Sequence, residues 1–435
     1  MNVSELKKVF EQKGISEFEV YHVAEKSTEI STFNMQVDTE NIAEKNEYYI
    51  RGVYNGKIAS VYVEKETESA EEIADMIIRN AKAIESDDPY VIFGGSEKYA
   101  TLPESQSDFD KYTLADFTKL CTETEQDFRK KMAEITTTEC SLEISTQTVT
   151  ITNSNGLDVS RTGTMGAFYI SVAVTRNGEV RPSYAFQFFR KVSDIDKDRL
   201  FAGSAQRAYD SVGGMSVPSK SYPVVLENYA ACSLLRAFAP MFSAENVIKK
   251  LSPLGDKLGQ KVFGDNITLT DDPFAEKSVE KYTFDDEGVA TFPKTVVEKG
   301  VLKTFLHSLK TAKMMGVQPT GNGFRFGNGM PANLCLETSG VGFDQMIKDI
   351  DDGLLITSLQ GLHAGVSVTS GQFSLQSSGF RIEKGKITSP VTLIIASGNI
   401  FQLLNDVKCV SDDAVALGHI CTGSIFVGSL SISGN

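Results

Sequence analysis

Two Asn-Gly pairs lie between long runs of residues that alternate in polarity, and they limit the folds open to this chain. Asn55-Gly56 divides the alternating run 50–65, and Asn155-Gly156 follows the alternating run 141–152. Asn and Gly both tolerate the positive φ that a tight hairpin turn requires. Alternation with a period of two is typical of strands with one buried face. The sequence therefore predicts β-hairpins at both places, with further strands at 166–175 and 183–191.

Two helices are predicted by their capping boxes. Ser69 is followed three residues later by Glu72, and Thr113 is followed three residues later by Asp116. In this pattern the hydroxyl caps the backbone N–H groups of the first turn, and the acid returns a hydrogen bond to the cap. The first helix carries its apolar residues at helical spacing: Ile73, Ile77, Ala81 and Ile84. A helix of about twenty residues is expected after Thr113 by the same argument.

Helices and strands mix in both of these segments, and a third segment is different. Residues 1–90 are predicted to form an N-terminal α+β domain, and residues 113–218 a middle α+β domain. Pro89, Gly94-Gly95 and Pro103 break the periodicity, which indicates a connection over 87–112. From 220 to 435 the strands are short and glycine is frequent, so we expect a β-rich, mainly antiparallel C-terminal domain. The predicted fold class is α+β.

Composition excludes several functions. Lys and Arg number 43 and Asp and Glu number 57, which gives a net charge of −14, and basic residues are interleaved with acids along the chain. Such a surface repels phosphate, so no direct nucleic-acid binding is expected. No run approaches the roughly eighteen apolar residues of a membrane span, and the first residues lack the apolar core of a signal peptide. We therefore predict a cytoplasmic protein without a membrane segment, with its six scattered cysteines as buried, reduced thiols.

Several separated motifs in the last 220 residues carry a family resemblance through their order. They are Asp271-Asp272-Pro273, Thr283-Phe284-Asp285-Asp286-Glu287-Gly288, Lys299-Gly300-Val301-Leu302, Thr320-Gly321-Asn322-Gly323-Phe324-Arg325, and the segment 371–399, GQFSLQSSGFRIEKGKITSPVTLIIASGN. Taken in this order, they resemble the TldD/PmbA family, whose older label is modulator of DNA gyrase. The resemblance implies the scaffold of a cytoplasmic zinc peptidase.

The zinc motif that the resemblance implies is missing. Catalytic members carry HExxxH on a helix that follows a strand like 222–226, and matching the two sets residues 235–240, LRAFAP, against that motif. Leu235 and Pro240 have no side-chain donor atom, and Arg236 stays cationic and cannot act as a base. Shifting this alignment along the chain does not supply the missing zinc ligands, because no histidine lies between His22 and His307. No catalytic and no metal-binding residue is assigned in this chain.

This departure resembles the TldE (PmbA) side of the family. The resemblance then implies a TldD-like partner subunit that holds the zinc, no cofactor bound by this chain, and a peptide or unfolded-protein substrate threaded into a shared cavity. An exposed strand edge could pair with such a peptide. The candidate substrate-binding residues lie around the 371–399 segment, and the family match gives none of them a role: His363, Thr369, Ser370, Gly371 and Phe373. The alternative is a homodimeric peptide- or protein-binding module without catalysis.

Other kinds of site receive less support from the sequence. His363, His419 and Cys421 could meet in the folded chain as metal ligands, but their spacing favours structural or surface roles. The acids of 285–287 could hold a divalent cation, although the spacing of a calcium loop is absent. We predict that they form an exposed turn whose Asp side chains bond to their own backbone.

Overall fold

The structure, a computed structural model, describes residues 2–64, 68–86, 88–103, 107–324 and 327–435. In the first half the helices are α1 (Val3–Lys13), α2 (Ala70–Lys82), α3 (Leu114–Lys131), α4 (Lys197–Phe201) and α5 (Arg207–Asp210), with a π-helical turn (Ala202–Gln206) between the last two and 3₁₀ turns at Phe109–Lys111 and Val192–Asp194. The strands of this half are β1 (Ile15–Phe33), β2 (Gln36–Tyr54), β3 (Lys57–Glu64), β4 (Ile135–Asn153), β5 (Asp158–Arg176) and β6 (Glu179–Phe189).

The second half has shorter elements. Its helices are α6 (Asn228–Phe238), α7 (Ala244–Ile248), α8 (Leu309–Met315), α9 (Phe343–Lys348), α10 (Leu362–Gly365) and α11 (Ile400–Asn405), with a 3₁₀ turn at Ala239–Phe242. Its strands are β7 (Lys220–Leu226), β8 (Leu269–Asp271), β9 (Lys294–Glu298), β10 (Val301–Leu302), β11 (Gly323–Phe324), β12 (Gly327–Asn328), β13 (Leu334–Leu336), β14 (Asp352–Gln360), β15 (Val366–Ser367), β16 (Gln372–Glu383), β17 (Lys386–Asn399), β18 (Val407–Val410), β19 (Val415–Leu417), β20 (Ile420–Thr422) and β21 (Ile425–Ser433). Helices and mainly antiparallel sheets together confirm the α+β class.

One antiparallel sheet of six long strands forms the first half, in the order β3-β2-β1-β4-β5-β6. Strands β1 and β4 pair over fifteen positions, from Glu19 opposite Asn153 to Phe33 opposite Glu139. The units predicted as 1–90 and 113–218 therefore share a single sheet. The connection between them, predicted at 87–112, is coil where it is described, apart from one 3₁₀ turn, and Asn153 Nδ2 binds its Phe93 carbonyl at 2.7 Å.

The two faces of this sheet have different neighbours. Side chains of one strand point alternately to opposite faces. On β1, Val20 packs with residues of α1 and α2, and Ile30 packs with residues of α3. Tyr21 and Val23 belong to the other face, where they share a cluster with Phe284 of the second half. The helices cover one face of the sheet, and the C-terminal domain meets part of the other.

Both predicted capping boxes are confirmed. The Ser69 hydroxyl accepts a hydrogen bond from the N–H of Glu72, and the Glu72 carboxylate accepts one from the N–H of Ser69. Thr113 and Asp116 make the same reciprocal pair at the start of α3. The N–H and hydroxyl of Ser69 hold the pKa of Glu72 below its usual value, and the hydroxyl and N–H of Thr113 do the same for Asp116, because donated hydrogen bonds stabilise the carboxylate form.

Two large sheets form the C-terminal domain, beside the two-stranded sheet of β11 and β12. One has the order β10-β9-β8-β13-β20-β19. In the other, β14 pairs with β7 on one side and with β16 on the other, so the five strands β14, β7, β21, β17 and β16 close into a ring. The closure brings the 371–399 segment, which forms β16 and β17, against β14. The largest hydrophobic core of the chain lies in this domain and includes α6.

No helix within the described ranges is long and apolar enough to cross a membrane. Four cysteines are buried and two, Cys335 and Cys409, are half-buried; all six are free thiols. Cys335 and Cys421 occupy paired positions on the parallel strands β13 and β20.

Candidate functional site

The helix that would carry the zinc motif is α6, and it follows strand β7 as the sequence predicts. Leu235 is buried in the C-terminal core, and Arg236 is exposed on the helix. Pro240 lies beyond the end of α6, in the 3₁₀ turn Ala239–Phe242. A leucine and a proline offer no donor atom to zinc, and a guanidinium repels a cation. The residues at these positions therefore do not fit the metal that the family implies.

The other histidines do not supply a replacement. His363 is exposed on α10, whereas His419 is half-buried with Nδ1 2.8 Å from the carbonyl oxygen of Ala332. His307 is buried, and burial lowers its pKa, which favours the neutral ring. Across the residues that the structure describes, no three His, Cys, Asp or Glu side chains are grouped so that they could hold a metal ion.

An open groove of about 580 Å³ lies between α10 and the strands β15 to β17, in the segment that holds the predicted substrate-binding residues. The groove is lined by small and polar residues and one aromatic ring: Ala364, Gly365, Val366, Ser367, Gln372, Phe373, Ser374, Ser397, Gly398 and Ser431. Of the five predicted residues, Phe373 lines the groove. Its ring also packs edge-on against Phe238 of α6, with the centroids 6.3 Å apart.

The remaining four predicted residues lie beside the groove. His363 is exposed on α10, and Thr369 and Ser370 are exposed in the turn between β15 and β16. The Ser370 carbonyl accepts a hydrogen bond of 3.0 Å from Asn399 Nδ2, which ties this turn to the end of β17. Gly371 is buried at positive φ, and a Cβ there would lie 3.0 Å from the ring of Phe401.

Motifs that are far apart in the sequence meet in a buried polar network. Asp271 is fully buried, with Oδ2 3.0 Å from Lys294 Nζ and 2.7 Å from Asn322 Nδ2. Its Oδ1 accepts the backbone N–H of Asn333 at 2.9 Å. A buried carboxylate costs a large desolvation energy unless it is paired and hydrogen-bonded, and here it is both. Arg325, which belongs to one of the quoted motifs, lies outside the described residues.

Asp285 and Asp286 are buried and Glu287 is half-buried, so the prediction that 285–287 form an exposed turn is wrong. The predicted backbone bonding is confirmed for Asp285, whose Oδ1 accepts the N–H groups of Glu287 and Val289, each at 3.0 Å, whereas Asp286 Oδ1 bonds to other side chains. Asp285 Oδ2 accepts the N–H of Gly323 at 2.7 Å. Burial and the nearby Glu287 carboxylate raise the pKa of Asp285 to about 8. The three backbone N–H donors act in the opposite direction, but their effect is smaller. The two aspartates are buried because the turn docks against the long sheet, which sequence pattern alone does not reveal.

Asp286, the next residue, reaches across to the first half of the chain. Its Oδ1 accepts a hydrogen bond from Tyr21 Oη at 2.9 Å and lies 3.0 Å from Arg161 Nη2. The Arg161 guanidinium also lies over the ring of Tyr282, 4.9 Å from the centroid. A second cavity, of about 330 Å³, opens beside these residues between the long sheet and the C-terminal domain. The sequence did not indicate this cavity, because its lining residues come from five strands of both halves and from several separate turns and loops.

Comparison with known proteins explains the order of the motifs. Three protein-family models, one for each domain of the PmbA/TldA metallopeptidase, match consecutive parts of this chain. Domain 1 matches residues 18–84, the central domain matches 107–213 and the C-terminal domain matches 219–434. A solved Thermotoga maritima protein, named as a modulator of a DNA gyrase, is 30% identical and superposes with a TM-score of 0.91 over 99% of this chain and 100% of its own. This chain belongs to the PmbA/TldD family.

Other members extend the comparison. The metalloprotease PmbA of Escherichia coli O157:H7 is 27% identical over 283 residues, which span 65% of this chain and 61% of that protein. The matched segments thus cover about three fifths of the length of the curated relatives. TldE from Thermococcus kodakarensis superposes with a TM-score of 0.90 over 99% of this chain and 100% of its own at 23% identity, which shows the shared fold.

Proposed function

We propose that this chain is a TldE/PmbA-type subunit of a cytoplasmic two-subunit metallopeptidase, in which a TldD-like partner supplies the zinc. The observation that carries the proposal is α6, where Leu235 and Pro240 stand at the positions of metal ligands in a member of a metallopeptidase family. A scaffold without donor atoms cannot activate water on zinc, so catalysis has to come from another chain.

The role of this subunit is to bind peptide or unfolded protein in a cavity shared with the partner. The groove beside β15 to β17 supports this role, because β15 ends the strand order of its sheet among the described strands. An extended peptide can add its backbone to such an edge and be bound with little sequence preference. The serine-lined wall offers hydroxyl groups to the peptide, and Phe373 offers an apolar contact.

The proposal is tested by co-expressing this chain with an HExxxH-bearing paralogue from the same genome. We expect one complex in size-exclusion chromatography with multi-angle light scattering, and hydrolysis of unfolded peptides that requires both chains. Replacing the glutamate of the partner's HExxxH by Gln should abolish hydrolysis while the complex persists, which serves as the matched control.

Two outcomes would reject the proposal. The first is the absence of a complex, with partner activity unchanged by this chain. The second is stoichiometric zinc together with peptide hydrolysis by this chain alone. A homodimer that binds peptide and ignores the paralogue would instead support the alternative of a binding module without catalysis.

A further inference from the structure

The cavity between the long sheet and the C-terminal domain has aromatic rings on both of its walls. Tyr21 and Tyr49 meet edge-on at 6.0 Å on the sheet side. On the other side Tyr282 lies 5.0 Å from Phe324 and 6.1 Å from His419, measured between ring centroids. The volume of about 330 Å³ is enough for a side chain or a chain terminus but not for a folded partner. Aromatic faces carry partial negative charge and attract cations that they enclose.

The formal charges around the cavity are predominantly negative. The described lining residues include three carboxylates, Glu47, Glu280 and Asp286, and one guanidinium, Arg161. Arg161 and Asp286 form an ion pair with each other, and the arginine is further engaged by the ring of Tyr282. The net negative charge of the cavity therefore comes from the carboxylates of Glu47 and Glu280.

These two carboxylates are held in place by tyrosine hydroxyls. Tyr282 Oη donates to Glu280 Oε2 at 2.8 Å. Tyr62 Oη lies 2.9 Å from Glu47 Oε1 and 2.6 Å from Glu64 Oε1, and these two acids share its one proton. Neither neighbour neutralises the charge, since a phenol remains protonated at neutral pH. The charge is therefore available to a ligand that enters from solvent.

His419 adds an acceptor to the same wall. A carbonyl oxygen can only accept, so the contact of Nδ1 with the Ala332 oxygen places the proton of the neutral ring on Nδ1. The Nε2 atom then carries a lone pair, which suits a ligand N–H. An anion could accept a hydrogen bond from the buried Nε of Arg161, which has no partner among the described residues. It would also lie near the carboxylates of Glu47 and Glu280, and their repulsion opposes the binding of an anion.

We propose that this cavity binds an organic cation, the ammonium or guanidinium group of a peptide, between the aromatic rings and the carboxylates of Glu47 and Glu280. The choice of a peptide as the source of the cation rests on the proposed function, whereas the preference for a cation rests on the cavity alone. Two sources share this chemistry: the amino terminus, and the side chain of lysine or arginine.

Small probes separate these sources on the purified full chain without any partner. The cationic side chains are represented by Nα-acetyl-lysine amide and Nα-acetyl-arginine amide, the free terminus by alanyl-alanine amide, and the neutral control by Nα-acetyl-norleucine amide. We expect calorimetry to show binding of at least one cationic probe, weakening as NaCl rises from about 50 to about 300 mM, because salt screens partly exposed charges. The probe that binds identifies the source.

Matched variants locate the binding. Glu280→Gln keeps an oxygen for the Tyr282 hydrogen bond and removes one charge, so we expect affinity to fall about threefold to tenfold. Glu47→Gln should act in the same direction. Glu276→Gln, an exposed acid of the same loop that does not line the cavity, should leave affinity unchanged. Both cavity acids are at least partly exposed, which keeps folding intact in the variants.

Three results would overturn the inference. These are equal binding of the norleucine control, unchanged affinity in both cavity variants, and no binding of any cationic probe at about 10 mM. Failure of the two-subunit complex would leave these measurements unaffected, because no partner is present in them.

Discussion

Asp271 and Lys294 form an ion pair almost closed to water, with side-chain exposures of 0% and 7%. Neither residue has a pattern around it that marks it as buried, since Asp271 stands in an Asp-Asp-Pro sequence typical of a turn. Asp271 belongs to one of the family motifs, whereas its partner Lys294 is the first residue of β9. Only the folded chain brings these two side chains together. Because the pair is buried, the loss of either partner leaves the other charge buried without compensation.

Lys294→Met should therefore lower the free energy of unfolding by about 3–5 kcal/mol, because it leaves a buried carboxylate without its cation. The measurement is urea unfolding followed by circular dichroism. Lys303→Met is the matched control: Lys303 is 2.8 Å from Glu298, but both side chains are about half exposed, at 44% and 56%. Exposed pairs contribute at most about 1 kcal/mol, so equal losses in the two variants would contradict the assignment.

Secondary structure elements were predictable where the signal is local. The capping boxes at Ser69 and Thr113 and the turns at 55–56 and 155–156 depend on neighbouring residues, and all four are confirmed. The ends of strands were less predictable, because they depend on partners: β4 and β5 each run for 19 residues, longer than the alternation indicates. In the second half, α8 begins only at Leu309, because Leu302 pairs with Val297 in a sheet and Ser308 caps the helix.

Gly379 is an example of an element-level constraint. It lies on β16 where this strand pairs with β14, and a Cβ at this position would stand 1.8 Å from the carbonyl oxygen of Leu355. No real contact is that short, so a side chain would force the two strands apart and open the ring of the C-terminal sheet. The close approach of the Leu355 backbone is therefore the reason that this position requires glycine.

Gly379→Ala should cost more than about 3 kcal/mol or prevent folding, because the strained contact is with rigid backbone. Thermal unfolding and soluble yield are the measurements. Gly163→Ala is the control: this glycine also lies in a strand, but a Cβ there meets no atom within 4 Å. We expect Gly163→Ala to be neutral or stabilising by up to about 1 kcal/mol. Normal folding of Gly379→Ala would show that β14 and β16 can separate without loss.

At the scale of the whole molecule, the long sheet and the C-terminal domain are joined by specific contacts. Leu157, in the turn after β4, packs with Tyr21 and Phe284, and a Cβ on Gly288 would lie 2.4 Å from its side chain. Tyr99 Oη donates to the Gly288 carbonyl at 2.8 Å, and Arg207 makes two bonds, 2.6 and 2.7 Å long, to Glu227. Tyr21 belongs both to these contacts and to the wall of the cavity that we infer binds a cation.

Leu157→Ala should destabilise the chain by about 2–5 kcal/mol, because it opens a void in a buried contact between the two halves. Scanning calorimetry and urea unfolding measure the loss. Val180→Ala removes apolar atoms at a position that is 59% exposed and should change stability by less than about 0.5 kcal/mol. If the two variants behave alike, the contact around Leu157 does not hold the halves together.

The sequence by itself determined the α+β class, the capped helices, the hairpin turns and the absence of zinc donors at 235–240. Each of these depends on the chemistry of neighbouring residues or on their identity. The tertiary structure alone decided that two predicted units share one sheet, that Asp285 and Asp286 are buried, and that rings and carboxylates from both halves line one cavity. The reason is physical: hydrogen-bond partners and burial are set by residues more than 100 positions apart, and no local pattern records which distant strand will pair.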